Sequence, residues 1–440
     1  MPAMRQPPPL LLLLLLLLLA ASSPALSLAL PPLPASCSGT VNALPLVDGS
    51  TAPVEARVSH GSKRVLRGGN LSAPLTILHL YGNTSEMNAA YGALMREEMA
   101  ALVPATLAYI YAQVNASYNL SWLPEPVRDW VVEYGVETAL DWTANASLPF
   151  TPPHWQDALA ALAAGSGQSL ADVRRVAMIA EWTRAQCSML GAWGPASASG
   201  KLAQLRALDW DTDGPFQRFP VLAIYHPDAR AGGHAHATLG WAGMTGAITG
   251  VSSSGVGLSE KVWDAYTGTW SPFGYNWNFL FQDSLQFDSD GDAVLSRIAS
   301  ANRTCSVWLG VGDAHGNEGG GAFRIVAYSH QTVNIFNDRN FVPYANHDSY
   351  KDLLFINKHV QPSDEPCMND IVKAAYGALD GRALAQYVAA GEQTGDMHIA
   401  TYDWAADELI VANASPDGTQ LAYDAPFVRF SMSALWAQTL

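Results

Sequence analysis

The sequence predicts an α+β fold of layered sheets faced by helices. Three observations carry this: a helix-rich stretch before residue 187, short β-patterned runs after it, and helical patterns set between those runs. Residues 74–80 (Pro-Leu-Thr-Ile-Leu-His-Leu) read as a strand, closed by a turn at Gly82-Asn83. Ala90, Leu94, Met95, Met99, Leu102 and Leu107 recur at helical spacing and predict one long amphipathic helix over 86–114. Ser169, three places ahead of Asp172, resembles a capping box that opens a helix from Leu170 to Trp182. Strands are then expected over 219–226, 235–241, 255–262, 306–312, 323–328 and 332–336, and 397–402 with 409–412 reads as a hairpin. Helical patterns occupy 277–301, 364–378 and 381–390. No internal repeat is present, and the change of texture near residue 187 marks the best internal boundary.

With 49% hydrophobic and 14% charged residues, the 440-residue chain is neither a disordered, a collagen-like nor a coiled-coil protein. Lys and Arg total 24 against 39 Asp and Glu, a formal charge of -15 that repels phosphate backbones and argues against a nucleic-acid partner. Arg5, the leucines Leu10–Leu19 and the small residues Ala20, Ala21, Ser22 and Ser23 read as a signal peptide over 1–23. Its apolar run is shorter than the roughly 20 residues a bilayer requires, and Pro24, Pro31, Pro32 and Pro34 break its continuation. No transmembrane anchor is expected, and the chain is placed on the secretory route, lysosomal, vacuolar or extracellular. Sequons at Asn70, Asn83, Asn115, Asn119, Asn145, Asn302 and Asn413 agree, since five of the seven crowd into 70–147.

Cys187 stands at the boundary, in Arg184-Ala-Gln-Cys-Ser, and Leu205-Arg-Ala-Leu-Asp-Trp follows it. A thiol is a good nucleophile once a base is at hand. No His lies between His154 and His226, so a local Cys/His pair is not evident. An α-amino group freed by cleavage before Cys187 would titrate at about 7.7–8.0, close enough to neutral to shuttle the proton. Arg206 would favour thiolate and Asp209 would orient the amine. On the residues alone, a buried structural cysteine is the stronger alternative.

Other motifs fall away. Asp209-Trp-Asp-Thr-Asp-Gly begins like a calcium loop but has Pro220 at its twelfth position, and Asp288-Ser-Asp-Gly-Asp reads as a helix-capping loop. His234-Ala-His236, with His226 near, lacks a third zinc ligand, and no metal or cofactor is expected. Gly250-Val-Ser-Ser-Ser-Gly fails the spacing of a serine-esterase elbow, and no phosphate loop occurs.

Cys187-Ser-Met-Leu-Gly-Ala-Trp-Gly, followed by Gly200-Lys-Leu-Ala-Gln-Leu-Arg-Ala-Leu-Asp-Trp, resembles the start of the mature chain in the cholylglycine-hydrolase and acid-ceramidase-like N-terminal-nucleophile hydrolases. That group includes the isopenicillin-N acyltransferases. Arg206-x-x-Asp209-Trp210 fits its pattern, with Ala207 where many members have Asn. Gly243-Met-Thr-Gly-Ala-Ile-Thr-Gly, leading into Gly257-Leu-Ser-Glu-Lys, is similar to an acid-ceramidase segment and points to Glu260. Trp308-Leu-Gly-Val-Gly-Asp falls where the family has an oxyanion Asn, making Asp313 and the nearby Asn317 candidates. The helix around Tyr91-Gly-Ala-Leu resembles the family's propeptide helix.

The resemblance implies a four-layer αββα sandwich, made as a precursor that cleaves itself between Gln186 and Cys187. A mainly helical α-chain, 24–186, would stay associated with a catalytic β-chain, 187–440. Cys187 would attack a linear amide, of an N-acyl lipid such as a ceramide or N-acylethanolamine, with Arg206, Asp209 and Glu260 in support. An acyltransferase or phospholipase-B-like hydrolase on the same fold is the alternative, and an inactive secreted glycoprotein a further one. With Cys187 catalytic, one disulfide remains among three cysteines; Cys305–Cys367 is expected, with a bridge from Cys37 left open.

Overall fold

The β-patterned segments assemble into two stacked sheets, seen in a computed structural model that describes residues 30–68, 71–117, 125–182, 186–210 and 212–440. The leader, Asn70 and Asn119 lie outside the described residues. The first strands are β1 (Val47–Asp48), β2 (Val54–Val58), β3 (Gly61–Leu66) and β4 (Leu75–Gly82). Five helices follow: α1 (Thr84–Leu94), α2 (Arg96–Ser117), α3 (Glu125–Ser147), α4 (His154–Ser166) and α5 (Leu170–Trp182). Next come β5 (Gln186–Ala192), β6 (Ala203–Asp209), β7 (Pro220–Pro227), β8 (His236–Trp241), β9 (Thr249–Ser252) and β10 (Val256–Val262). Helices α6 (Trp277–Phe287) and α7 (Gly291–Ser300) precede β11 (Val307–Asp313), β12 (Ala322–Tyr328), β13 (Val333–Phe336) and β14 (Leu353–Ile356). Helix α8 (Cys367–Ala374) and a helical segment over 383–392 lead to β15 (His398–Asp403), β16 (Glu408–Asn413) and β17 (Val428–Ser431).

Sheet order is β1-β17-β16-β15-β6-β5-β14 in the first sheet and β13-β12-β11-β10-β9-β8-β7-β4-β3-β2 in the second. Side chains alternate between faces, and the cores follow that alternation. Leu190, Leu205, Phe355 and Ile399 pack on the helices of 367–392, while Ala400, Tyr402 and Val411 pack with Ile77, Leu222 and Leu239 of the second sheet. Helices α1–α7 cover the outer side of the second sheet through Leu94, Leu102, Leu159, Met178 and Phe281. The layers are therefore helices, sheet, sheet, helices, as expected. Between the sheets, Gly191 of β5 leaves room for Phe323, whose ring would lie 2.2 Å from an added Cβ.

The long helix expected over 86–114 is two helices. Asn83 caps α1, accepting from the Glu86 amide at 2.9 Å while Glu86 returns the bond, and the chain leaves helical geometry at Met95 before α2 begins. The capping pair at Ser169 and Asp172 is present, with Ser169 Oγ accepting the Asp172 amide at 3.0 Å. Asp290 likewise caps α7 through the Ala293 amide at 2.8 Å. Helices α6 and α7 divide the single 277–301 pattern, and β5, β6 and β14 lie where no strand is expected. Asn115, Asn145 and Asn302 are exposed.

Residue 187 is not a packing boundary. The segment before it supplies strands to both sheets, β1 beside β17 and β4 beside β7, each in parallel. Its helices share one core with α6, where Trp277 Nε1 donates to the Ala180 carbonyl at 3.0 Å. The disulfide corrects the expected Cys305–Cys367 pairing: Cys37 bonds to Cys367. Cys305 is buried within the helix-side core, while Cys37 packs against the opposite helical layer, where Cys367 opens α8.

Helices α1 and α4 touch backbone to backbone, where an added Cβ on Gly165 would fall 2.3 Å from the Ala89 carbonyl oxygen. Gly165→Ala is expected to destabilise the fold by about 1–3 kcal/mol, measured as a lowered denaturant midpoint against wild type; an unchanged midpoint would mean the pair separates freely.

Candidate active site

Cys187 and Arg206 meet because β5 and β6 are an antiparallel pair, with Gln186 opposite Asp209, Cys187 opposite Leu208 and Met189 opposite Arg206. Opposed residues share a face and successive ones alternate. Cys187, Met189, Arg206 and Leu208 therefore project toward the second sheet, and Gln186, Ser188 and Asp209 toward the helices of 367–392. The sulfur and the Asp209 carboxylate stand on opposite faces, with Asp209 paired across the ribbon to Gln186, the residue before Cys187.

On that far face Asp209 is tightly held. Thr394 Oγ1 donates to it at 2.6 Å and the Gly395 amide at 2.8 Å. Because Thr394 spends its one proton there, Ser188 Oγ donates to Thr394 at 2.7 Å. Asp396 accepts from the Trp210 amide at 2.7 Å. Burial pushes the pKa values of Asp209 and Asp396 upward, and in Asp396 the Asp209 charge adds to it.

On the near face Arg206 is fully buried. Its Nε donates to the Ile248 carbonyl at 3.3 Å, Nη1 to the Ala207 carbonyl at 2.6 Å, and Nη2 approaches Glu260 Oε2 at 3.5 Å. Glu260 lies on β10 in the other sheet, so the ion pair crosses the sandwich. Its second oxygen has no hydrogen-bond partner among the described residues. Burial pushes Glu260 up to about 7, with Arg206 pulling against it. Burial also pushes the Cys187 thiol up to about 12, again opposed by Arg206. Lys261 faces the first sheet, its Nζ donating to the Lys358 carbonyl at 2.7 Å, and burial lowers its pKa.

A small apolar cavity of about 50 Å³ opens beside this cluster. Glu260 and Leu208 line it together with Trp210, Phe216, Trp241, Met244 and Trp277. Val176, Ala177, Ile179 and Ala180 of α5, the helix that ends just ahead of Cys187, form another wall.

Of the residues singled out by sequence, Cys187, Arg206, Asp209 and Glu260 come together. Asp313 and Asn317 do not. Asp313 pairs with Val256 and Leu309 with Glu260, so Asp313 lies four residues, about 14 Å, along β11 from the level of Glu260. Its carboxylate accepts amides of Gly291, His315 and Gly316, and Asn317 Nδ2 donates to the Gly321 carbonyl. Both serve their own loops. His236 is fully buried and stacks on Tyr225. Lys261, Ser188, Thr394 and Asp396 escape sequence reading. Lys261 had a visible signal in its neighbour Glu260, whereas Thr394 is 185 residues from the carboxylate it serves.

No family model matches the chain. Two Dictyostelium discoideum proteins do: dcd1B is 32% identical over 399 residues, covering 86% of this chain and 78% of dcd1B. For dcd1A the figures are 34% over 395 residues, 87% of this chain and 88% of dcd1A. The chain belongs to the family of dcd1A and dcd1B. Among solved structures, this dcd1-family chain overlaps a Caenorhabditis elegans N-acylethanolamine-hydrolyzing acid amidase ortholog at 12% identity and TM-score 0.34, over 55% of this chain and 98% of that one. Penicillin V acylase from Agrobacterium tumefaciens overlaps at 10% identity and TM-score 0.39, over 57% and 89%. Overlaps this loose leave the chemistry to rest on the chain's own residues.

Glu260 carries a testable pH signature. Its folded pKa lies above the ordinary 4.5, so the folded chain keeps a proton that the unfolded chain releases as pH rises from about 4.5 to about 7. That stabilisation is present at low pH and lost through this window. In Glu260→Gln the term is absent, so the difference in melting temperature should shift in the variant's favour between pH 4.5 and 7. Parallel melting curves with a constant offset would contradict the assignment.

Proposed function

We propose that the chain is a self-processing cysteine amidase that hydrolyses the linear amide of an N-acyl lipid. The observation carrying this reading is Cys187 beside a buried Arg206–Glu260 pair, with an apolar cavity lined by Glu260 and Leu208 next to it. The likeness of the Cys187–Trp210 stretch to the acid-ceramidase-like hydrolases points the same way.

Inside an uncut chain the thiol is buried and neutral at physiological pH. Maturation changes that. Sγ attacks the Gln186 carbonyl carbon, the bond to the Cys187 nitrogen breaks, and water hydrolyses the resulting thioester, leaving a Gln186 carboxylate and a free Cys187 amine. Asp209, which stands opposite Gln186 in the β5–β6 ribbon, then anchors the amine. In turnover the amine takes the Sγ proton, thiolate attacks the substrate carbonyl, and the leaving amine collects the proton. Water, deprotonated by the same amine, releases the acid from the thioester. Arg206 supplies fixed positive charge on the sulfur's face, where negative charge develops on oxygen.

The cavity suits an acyl chain, since Trp210, Phe216, Met244 and Trp277 offer apolar surface and few polar partners. Because α5 forms one wall, the cut N-terminal part must stay in place for the pocket to persist. The shared core and the Cys37–Cys367 disulfide, one cysteine on each side of the cut, support this. Such a disulfide suits the oxidising secretory route that the leader and sequons suggest.

Purified secreted protein is expected to give a second N-terminus at Cys187, and its two fragments should separate on a gel only after reduction. Cys187→Ala should remain a single chain and lose turnover by about 10³-fold or more, read on a panel of ceramides, N-acylethanolamines, N-acyl amino acids and lysophospholipids. An active, uncut wild-type chain would overturn the maturation step, and an active Cys187→Ala protein the nucleophile. Turnover of lysophospholipids alone would favour the phospholipase-B-like reading.

A further inference from the structure

Behind the Asp209 face, the structure brings together three side chains that no spacing rule connects. His359 follows β14, Glu365 precedes α8, and Glu392 ends the helical segment that leads to Thr394. One ligand atom from each lies within 4.8 Å of the others. Glu392 is the informative member. It is 5% exposed, and neither carboxylate oxygen has a hydrogen-bond partner among the described residues. The Glu365 carboxylate faces it, and the two share a hydrogen bond only if one of them holds a proton. Glu365 is itself oriented by the Cys367 amide, which donates to its two oxygens at 3.0 and 3.1 Å. Lys358, the cation beside Glu392, directs its ammonium to the Gln393 carbonyl at 2.6 Å.

A buried carboxylate left without donors is costly. Two arrangements relieve it. Either Glu392 holds a proton, or a cation sits among the three groups. The second uses every donor present, because the imidazole and both carboxylates each bring a ligand atom within 4.8 Å of the others. We propose that His359, Glu365 and Glu392 form a binding site for a divalent transition-metal ion, zinc by its donor set, with water completing a four-coordinate shell. One borderline nitrogen and two carboxylate oxygens match zinc's usual ligands, whereas calcium takes six to eight oxygens and magnesium keeps a near-octahedral oxygen shell. An ion here ties the end of β14 to the residues beside Cys367. It also holds Glu392, and with it the turn through Thr394 and Gly395 that donates to Asp209. Its role is positional, and it stands whether or not the chain proves to be an amidase.

The test is zinc binding by the full secreted chain, stripped with chelator at neutral pH and titrated with zinc chloride by calorimetry. Metal content after dialysis is read by mass spectrometry. Wild type is expected to bind one zinc per chain and to melt higher with zinc than without it. Glu392→Gln and His359→Ala should each weaken binding by about tenfold or more and lose the zinc-dependent melting shift, with the circular dichroism of wild type retained. His359 is partly exposed, so its variant carries the test if Glu392→Gln does not fold. A wild type that binds no stoichiometric zinc would overturn the site and leave the shared proton as the account of Glu392. So would variants that bind zinc as wild type does. Binding of calcium in preference to zinc would overturn the ion assigned.

Discussion

Arg206 carries its charge where water does not reach it, so its neighbours must supply what solvent would. They do so from both sheets: the Ala207 carbonyl on its own strand, and the Ile248 carbonyl and Glu260 on the other. Removing one member of such a buried pair typically costs about 3–5 kcal/mol, because the other is left uncompensated, whereas the intact pair adds little net stability. The pair therefore specifies geometry more than it stabilises. It fixes how β6 lies over β10, and with them the positions of Cys187, Leu208 and the mouth of the cavity.

The same low-polarity setting explains the state of the thiol. Cys187 has a guanidinium and an ammonium within electrostatic reach, yet burial outweighs both and the sulfur stays protonated. A thiol in that state is a poor nucleophile without a base to take its proton. The alternation of the β5–β6 ribbon divides the labour, with sulfur and Arg206 on one face and Asp209, Ser188 and Thr394 on the other. The segments before and after Cys187 share one core, since β1, β4 and α1–α5 are built into sheets and helical layers completed by later residues.

Much of the fold was legible because period and punctuation are local. Strands β7, β8 and β10–β13, the hairpin β15–β16 and the helix Leu170–Trp182 follow from alternation, spacing and caps within a few residues. The misses are also physical. Met95 interrupts one helical pattern without a Gly or Pro to announce it. Strands β5, β6 and β14 lie side by side at one end of the first sheet and are buried almost throughout, so no alternation of polar and apolar residues marks them. Asp313 looked suited to an oxyanion role by its place in a run of residues, but pairing of β11 against β10 carries it to the far end of the strand.

Sequence alone determined the class of fold, the acidic exterior and the grouping of Cys187, Arg206 and Asp209, because each rests on residues close together in the chain. Three matters were left to tertiary structure: the partner of Cys367, the crossing of the Arg206–Glu260 pair, and the convergence of His359, Glu365 and Glu392 behind the cleft. Each joins segments tens to hundreds of residues apart. Such contacts are set by how whole layers stack, and no local pattern records which strand lies over which.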